Sequence, residues 1–209
     1  RQLPHLLDPA VEEEIRSERG DQVKSDTYQQ SLFERLWRQF KAREDADGFT
    51  RVVMLNKQFR MHPILGDFIS KQFYEAAGLD NVDSGKNAED FPDTVPVFGK
   101  SVCRWLDVPF EAGSDERIGT SRVRVAEASR IASEVRNLLS ELSSDMSVGV
   151  ITFYSAQRDR IFKELEKYDI SERGEEGWRV RTEYAASPDC PERLRVGTVD
   201  SFQGKEFDV

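Results

Sequence analysis

Three short stretches carry residue types at spacings suited to anion and phosphate chemistry. Gln58-Phe59-Arg60-Met61-His62-Pro63 sets an arginine between the β-branched run Arg51 to Asn56 and a helix opened by Pro63. The carboxyl end of a strand in an α/β sheet is where such sheets gather ligands, and a rigid arginine there reaches an anion. Ile151-Thr152-Phe153-Tyr154-Ser155-Ala156-Gln157-Arg158 ends an apolar run and opens another helix. Its Thr152, Tyr154 and Ser155 hydroxyls, with the helix N–H groups, suit a phosphate backbone. Thr198-Val199-Asp200-Ser201-Phe202-Gln203-Gly204-Lys205-Glu206 follows a third apolar run, and Gly204 frees the backbone among its polar groups. Each stretch also has a plainer use. Arg60 serves as an ordinary surface ion pair with Phe59 and Met61 in a core, Ser155 as a helix cap, and the last stretch as a polar turn.

Other chemistries are missing. Gly99-Lys100-Ser101 imitates the end of a GxxxxGK[ST] phosphate loop, but Thr94 stands where its first glycine is required. There is no GxGxxG, HExxH or nucleophile elbow, and His5 and His62 are the only histidines, which argues against a histidine-based hydrolase. The two cysteines, Cys103 and Cys190, form no CxxC or Cys-His cluster. No metal ligand set follows, nor a disulfide scaffold, and the usage fits a reducing cytosol.

The elements that must position the three stretches follow from periodicity. Leu32, Phe33, Leu36, Trp37 and Phe40 mark one helical face, and Arg51 to Asn56 reads as a strand. The helix after Pro63 carries Ile64, Leu65, Phe68, Ile69 and Phe73 inward. Ser101 to Val108 reads as a strand, 122–143 as the longest helix, Val148 to Phe153 as a buried strand, 156–168 as a helix and Leu194 to Val199 as a strand. Residues 78–100 read as a surface excursion; 169–192 read as a lid, a hairpin insertion or a partly disordered segment. Strands alternating with helices predict an α/β fold with a mainly parallel sheet flanked by helices.

The chain has 209 residues, enough for one large domain, with 33% charged residues and a net charge of −9. That field repels a polyanion as a whole, so any nucleic-acid contact needs a local basic face. No apolar stretch is long enough to span a bilayer, and the N-terminal residues lack the pattern of a signal peptide. The abrupt start at Gln2-Leu3-Pro4 and the strand-like Glu206 to Val209 read as cuts through a longer protein.

Taken in order, these stretches resemble motifs of the superfamily 1 helicases, in the group that includes the nonsense-mediated-decay RNA helicase, senataxin and the immunoglobulin-mu-binding helicase. Gln58 to Pro63 is similar to motif IV (Q-[YF]-R-M-H-P), Ile151 to Gln157 to the T-P-Y-x-x-Q segment, and Thr198 to Glu206 to motif V (T-V-D-S-F-Q-G-x-E). Gln2-Leu3-Pro4 resembles the end of motif III, and Ser31 to Leu36 (SLFERL) is a phrase the group often carries. The resemblance spans the chain apart from 78–100 and 169–192. Phe153 stands where the group usually has proline, His5 where motif III has its second proline, and Phe59 where tyrosine is common.

The resemblance implies the second RecA-like domain of a helicase, a P-loop NTPase-type fold lacking its own Walker A loop. Residues 1–50 would be the tail of motif III and a helical connector, and 51–209 the domain itself, ending before motif VI. It implies ATP with Mg2+, held mainly by the first RecA-like domain of the same parent chain. Arg60 and Gln2 would act on the γ-phosphate, Phe59 would stack near the adenine, and Gly204 and Glu206 would complete the nucleotide side. Thr152, Tyr154, Thr198 and Ser201 would face single-stranded DNA or RNA. The implied activity is ATP-driven translocation, 5′-to-3′, in the full-length parent, with the piece alone inactive. The implied location is cytoplasmic, or nuclear in a eukaryote. The alternative is a non-catalytic nucleic-acid-binding or protein-interaction module derived from a helicase.

Overall fold

The computed structural model describes residues 14, 17, 31–91, 99 and 101–209, in two compact units, Arg1–Asn56 and Lys57–Val209. In the first unit, helix α1 (Leu32–Asp47) starts where the Ser31 hydroxyl accepts the Glu34 N–H at 3.2 Å. It stops at Gly48, whose φ of 75° is a left-handed cap. The expected face of Leu32, Phe33, Leu36, Trp37 and Phe40 is helical, and no residue of α1 is buried. Glu44 turns back from α1 to accept the N–H groups of Arg51 (2.9 Å) and Val52 (3.2 Å), and these bonds, with Lys41, hold its carboxyl down at about 2. The strand expected over 51–56 does not form. A strand exists only through a partner's hydrogen bonds, and here its first two donors are spent on a carboxylate.

The second unit opens with β1 (Lys57–Gln58), paired in parallel with β2 (Asp83–Ser84). Between them, α2 (Pro63–Ile69) begins at His62, whose Nδ1 accepts the Ile64 N–H at 3.2 Å, and runs into a π-helical turn, Ser70–Tyr74. After the Ser101 to Val108 stretch, which lies in no ladder, come the antiparallel pair β3 (Glu116–Ile118) and β4 (Ser121–Val123) and the long helix α3 (Val125–Glu141). The helix expected from residue 122 starts at Val125 because the residues before it belong to β4.

The core belongs to a β-α-β unit covered by α3. Strand β5 (Val148–Thr152) leads into α4 (Ser155–Glu166), and the chain returns as β8 (Leu194–Thr198), parallel to β5 over five register pairs from Val148↔Leu194 to Thr152↔Thr198. Ala128, Ala132, Val135 and Leu139 of α3 recur at helical spacing and bury against Ile161 and Leu165 of α4 and Val148, Val150, Leu194 and Val196 of the strands. Residues 169–192 are the hairpin β6 (Ser171–Gly174) and β7 (Gly177–Val180), then one helical turn, Thr182–Ala185. On the other edge of β5, Val209 accepts from Gly149 at 2.8 Å and donates to Ser147 at 3.1 Å, the alternation of a parallel neighbour.

Fold class is therefore mixed helix and strand. The sheet expected as mainly parallel is resolved, among the described residues, into four two-stranded ladders, two parallel and two antiparallel. No described helix is long and apolar enough to cross a membrane.

Candidate functional site

The turn after β1 is built by one amide. The Gln58 side-chain oxygen accepts the backbone N–H groups of Arg60 (2.9 Å) and Met61 (2.7 Å), and its nitrogen donates to the Met61 carbonyl (2.9 Å) and the Ser84 hydroxyl (2.8 Å). This closes the loop tightly enough that the next side chain points outward from a fixed base. Arg60 is 58% exposed, and its Nε donates to Glu206 Oε1 at 2.7 Å, its side chain's one hydrogen-bond partner among the described residues. Two positions 146 residues apart, each singled out in the sequence, thus meet. Phe59, 57% exposed, turns one ring edge onto Gly85 and offers the remainder outward. An exposed guanidinium beside an exposed aromatic face fits an anionic nucleotide: one groups with phosphate oxygens, the other with a base.

The second cluster stands at the carboxyl ends of the parallel strands. Thr152 and Thr198 are register partners, so their side chains lie about 5 Å apart on adjacent strands. Tyr154, partly exposed, follows Thr152 at the start of α4, and its N–H reaches the Thr152 hydroxyl at 3.5 Å. Phe153, where the resembled motif has proline, is 84% exposed. Thr152, Phe153, Tyr154 and Phe110 line an open cleft of about 400 Å³, together with the Arg122 and Asp115 ion pair. The Ser201 hydroxyl, on an exposed residue, is already engaged. It donates to the Thr198 carbonyl at 2.7 Å, holding the 3₁₀ turn Val199–Phe202 against β8. Gly204, at φ 77°, reverses the chain so that Lys205 reaches Glu192 (2.9 Å) and Glu206 reaches Arg60.

Gln2 lies outside the described residues, as does His5. Of the others, the structure brings together Arg60 and Glu206 with Phe59 beside Arg60, and separately Thr152, Tyr154 and Thr198; Ser201 joins the second group through its hydroxyl, which is spent on the Thr198 carbonyl.

Several residues that hold these groups were given no role by the sequence, Gln157 among them although it closes the Ile151 to Gln157 segment. Gln157, 7% exposed, accepts the Arg124 N–H at 2.7 Å and donates to the Arg124 carbonyl at 3.2 Å, clamping α4 to the start of α3. Arg124 donates to the carbonyls of Val108 (2.9 Å), Pro109 (2.7 Å) and Gly113 (2.7 Å), which makes it the organiser of the loop bearing Phe110. The cap of α4 is not Ser155: the Ala156 N–H goes to the Ser121 hydroxyl of β4 at 3.0 Å. One of the helix N–H groups expected to meet a phosphate is therefore already used. Beneath, Glu164 is 2% exposed. Burial pushes its carboxyl up, but Lys167, Ser129 and Arg160 together outweigh it and hold it below the usual range.

Residues 28–209 match a family model described as an AAA domain. The chain is 30% identical over 86% of its length to a regulator of nonsense transcripts 1 homolog of Neurospora crassa, covering 14% of that protein. It is 29% identical to the homolog of Arabidopsis thaliana (86% of this chain, 12% of that one) and 24% identical to helicase sen1 of Schizosaccharomyces pombe (87% and 9%). The chain thus spans about a seventh of these relatives' length or less.

Proposed function

The chain belongs to the AAA-domain family of superfamily 1 helicases that includes regulator of nonsense transcripts 1 and senataxin, and on that premise we propose that it is the second RecA-like domain of an ATP-dependent, 5′-to-3′ single-strand translocase. The observation that supports this best is the meeting of Arg60 and Glu206 on an exposed surface, with the Thr152 and Thr198 pair gathered at the strand ends.

ATP supplies the phosphoanhydride whose hydrolysis drives the cycle. Arg60 leaves Glu206 to lay its guanidinium against the phosphoryl oxygens, where such an arginine contributes about 10³–10⁵ in rate. The Phe59 ring orients the base, and Glu206 and Gly204 shape the same edge. Phosphate-loop and Mg2+ chemistry belong to a first RecA-like domain of the parent; the γ-phosphate role that the resemblance gives Gln2 falls on a residue outside those described. Thr152, Tyr154 and Thr198 grip the strand through its backbone, which makes the grip tolerant of sequence.

The net charge of −9 favours one rival, a protein-interaction module of helicase descent. ATP turnover by the full-length protein, with and without single-stranded RNA or DNA at low salt, separates the two. The motor reading expects turnover that rises with the strand; no turnover and no strand binding would leave the interaction module.

A further inference from the structure

Residues 78–100 match none of the motifs, yet Ser84 and Gly85 bond directly to the nucleotide-facing turn. Strand β2 lies parallel to β1, with Lys57↔Asp83 and Gln58↔Ser84 in register. The Ser84 hydroxyl accepts from the Gln58 side-chain nitrogen at 2.8 Å, and the Gly85 N–H donates to the Gln58 carbonyl at 2.7 Å. Gln58 is thus held from both its backbone and its side chain, and its other side-chain bonds fix the N–H groups of Arg60 and Met61. Gly85 is also a matter of space, since a Cβ there would overlap the Phe59 ring. Gly66 of α2 does the same on the far side, where a Cβ would come within 2.6 Å of the Gln58 amide and 2.9 Å of the Ser84 hydroxyl. The stretch is itself anchored: the fully buried Ser70 accepts the Val82 N–H at 2.9 Å and meets Asn81 Oδ1 at 2.7 Å.

We propose that Ser84 and Gly85 are positioning residues for hydrolysis, a brace that fixes the Gln58 amide and, through it, the direction in which Arg60 and Phe59 leave the β1 turn. This rests on the reading of Arg60 given above. Ser84 touches no substrate in this account. It orients Gln58, and Gln58 sets the backbone from which the guanidinium reaches the phosphate. A misdirected arginine costs rate at the transition state while leaving ground-state binding largely intact.

The test is steady-state ATP turnover by the full-length protein, saturated with single strand, in Arg60→Ala, Ser84→Ala, Ser84→Thr, Gly85→Ala, Phe59→Ala and the Phe59→Ala/Gly85→Ala pair. Ser84→Ala is expected to lower kcat about 3- to 10-fold with KM for ATP nearly unchanged. Ser84→Thr keeps the hydroxyl and returns most of the rate. Gly85→Ala is expected to cost about 10- to 100-fold in kcat, and in the Phe59→Ala background its further cost falls to about twofold or less, because the ring it displaces is gone. Collapse in Arg60→Ala with kcat kept in both Ser84→Ala and Gly85→Ala would overturn the brace alone, as would a loss that appears only in KM or is equal in Ser84→Ala and Ser84→Thr. Indifference to Arg60→Ala would sink the nucleotide reading and the brace with it. If Gly85→Ala does not fold, the Ser84 pair decides.

Discussion

Replacing Gln157 with leucine separates two roles that its place in a recognisable motif leaves confounded. The amide makes two bonds, to the Arg124 N–H at 2.7 Å and the Arg124 carbonyl at 3.2 Å, and lies 7% exposed between α4 and the start of α3. Leucine keeps the bulk and strands both backbone groups. Two net hydrogen bonds at about 1 kcal/mol each give about 2 kcal/mol, rising toward about 4 kcal/mol if both groups stay dry. For a domain of this size that is a fall in Tm of about 4–16 °C. Gln157→Glu retains the acceptor for the Arg124 N–H and loses the donor, so it should fall between wild type and leucine. Thermal and urea unfolding of the 209-residue chain followed by circular dichroism reads both values. A Gln157→Leu chain that melts with wild type, with single-strand binding reduced, would refute the clamp and make Gln157 a ligand contact instead.

Gly197→Ala should destabilise by about 1–3 kcal/mol, since its Cβ would overlap the Ser201 hydroxyl and come within 3.2 Å of the Phe202 ring; Ser201→Ala in the same chain should recover part of that, as unfolding of the three variants would show. Glu164 and Glu192, each held below the ordinary 4.5, the second chiefly by Lys205, stabilise the fold above that value; the contribution is lost as pH falls through their lowered folded values. Acid titration of stability should therefore steepen below about pH 4.5, and Glu164→Gln should flatten it. Glu206→Gln should shift stability by less than about 1 kcal/mol, because the pair with Arg60 is exposed on both sides, so any loss of turnover in that variant reports the site and not the fold.

The elements legible in the sequence were those whose signal is local. The helical spacing of Val125, Ile131, Val135, Leu138, Leu139 and Leu142, and the apolar runs of β5 and β8, predict helices and buried strands without knowing the partner, and α1, α3, α4, β5 and β8 all formed. Arg51 to Asn56 and Ser101 to Val108 look equally strand-like, but a ladder needs a second edge, and no described residue supplies one. The hairpin at 171–180 could not be chosen over a lid because its arms alternate weakly; its tight reversal is marked by Gly174 opposite Gly177, the latter at φ 121°. In the site, Arg60, Thr152 and Tyr154 were singled out by residue type at strand ends, and Glu206 and Thr198 through the resemblance alone. Their supports were not, since Ser84, Ser121 and Arg124 act through hydroxyl and guanidinium bonds that sequence proximity does not reveal.

The most direct measurement is single-strand-stimulated ATP turnover by the full-length protein beside its Arg60→Ala variant, with nucleotide affinity measured in both. The account predicts that kcat falls by about 10³-fold or more while nucleotide and strand still bind. Turnover that survives the loss of the Arg60 guanidinium would contradict it.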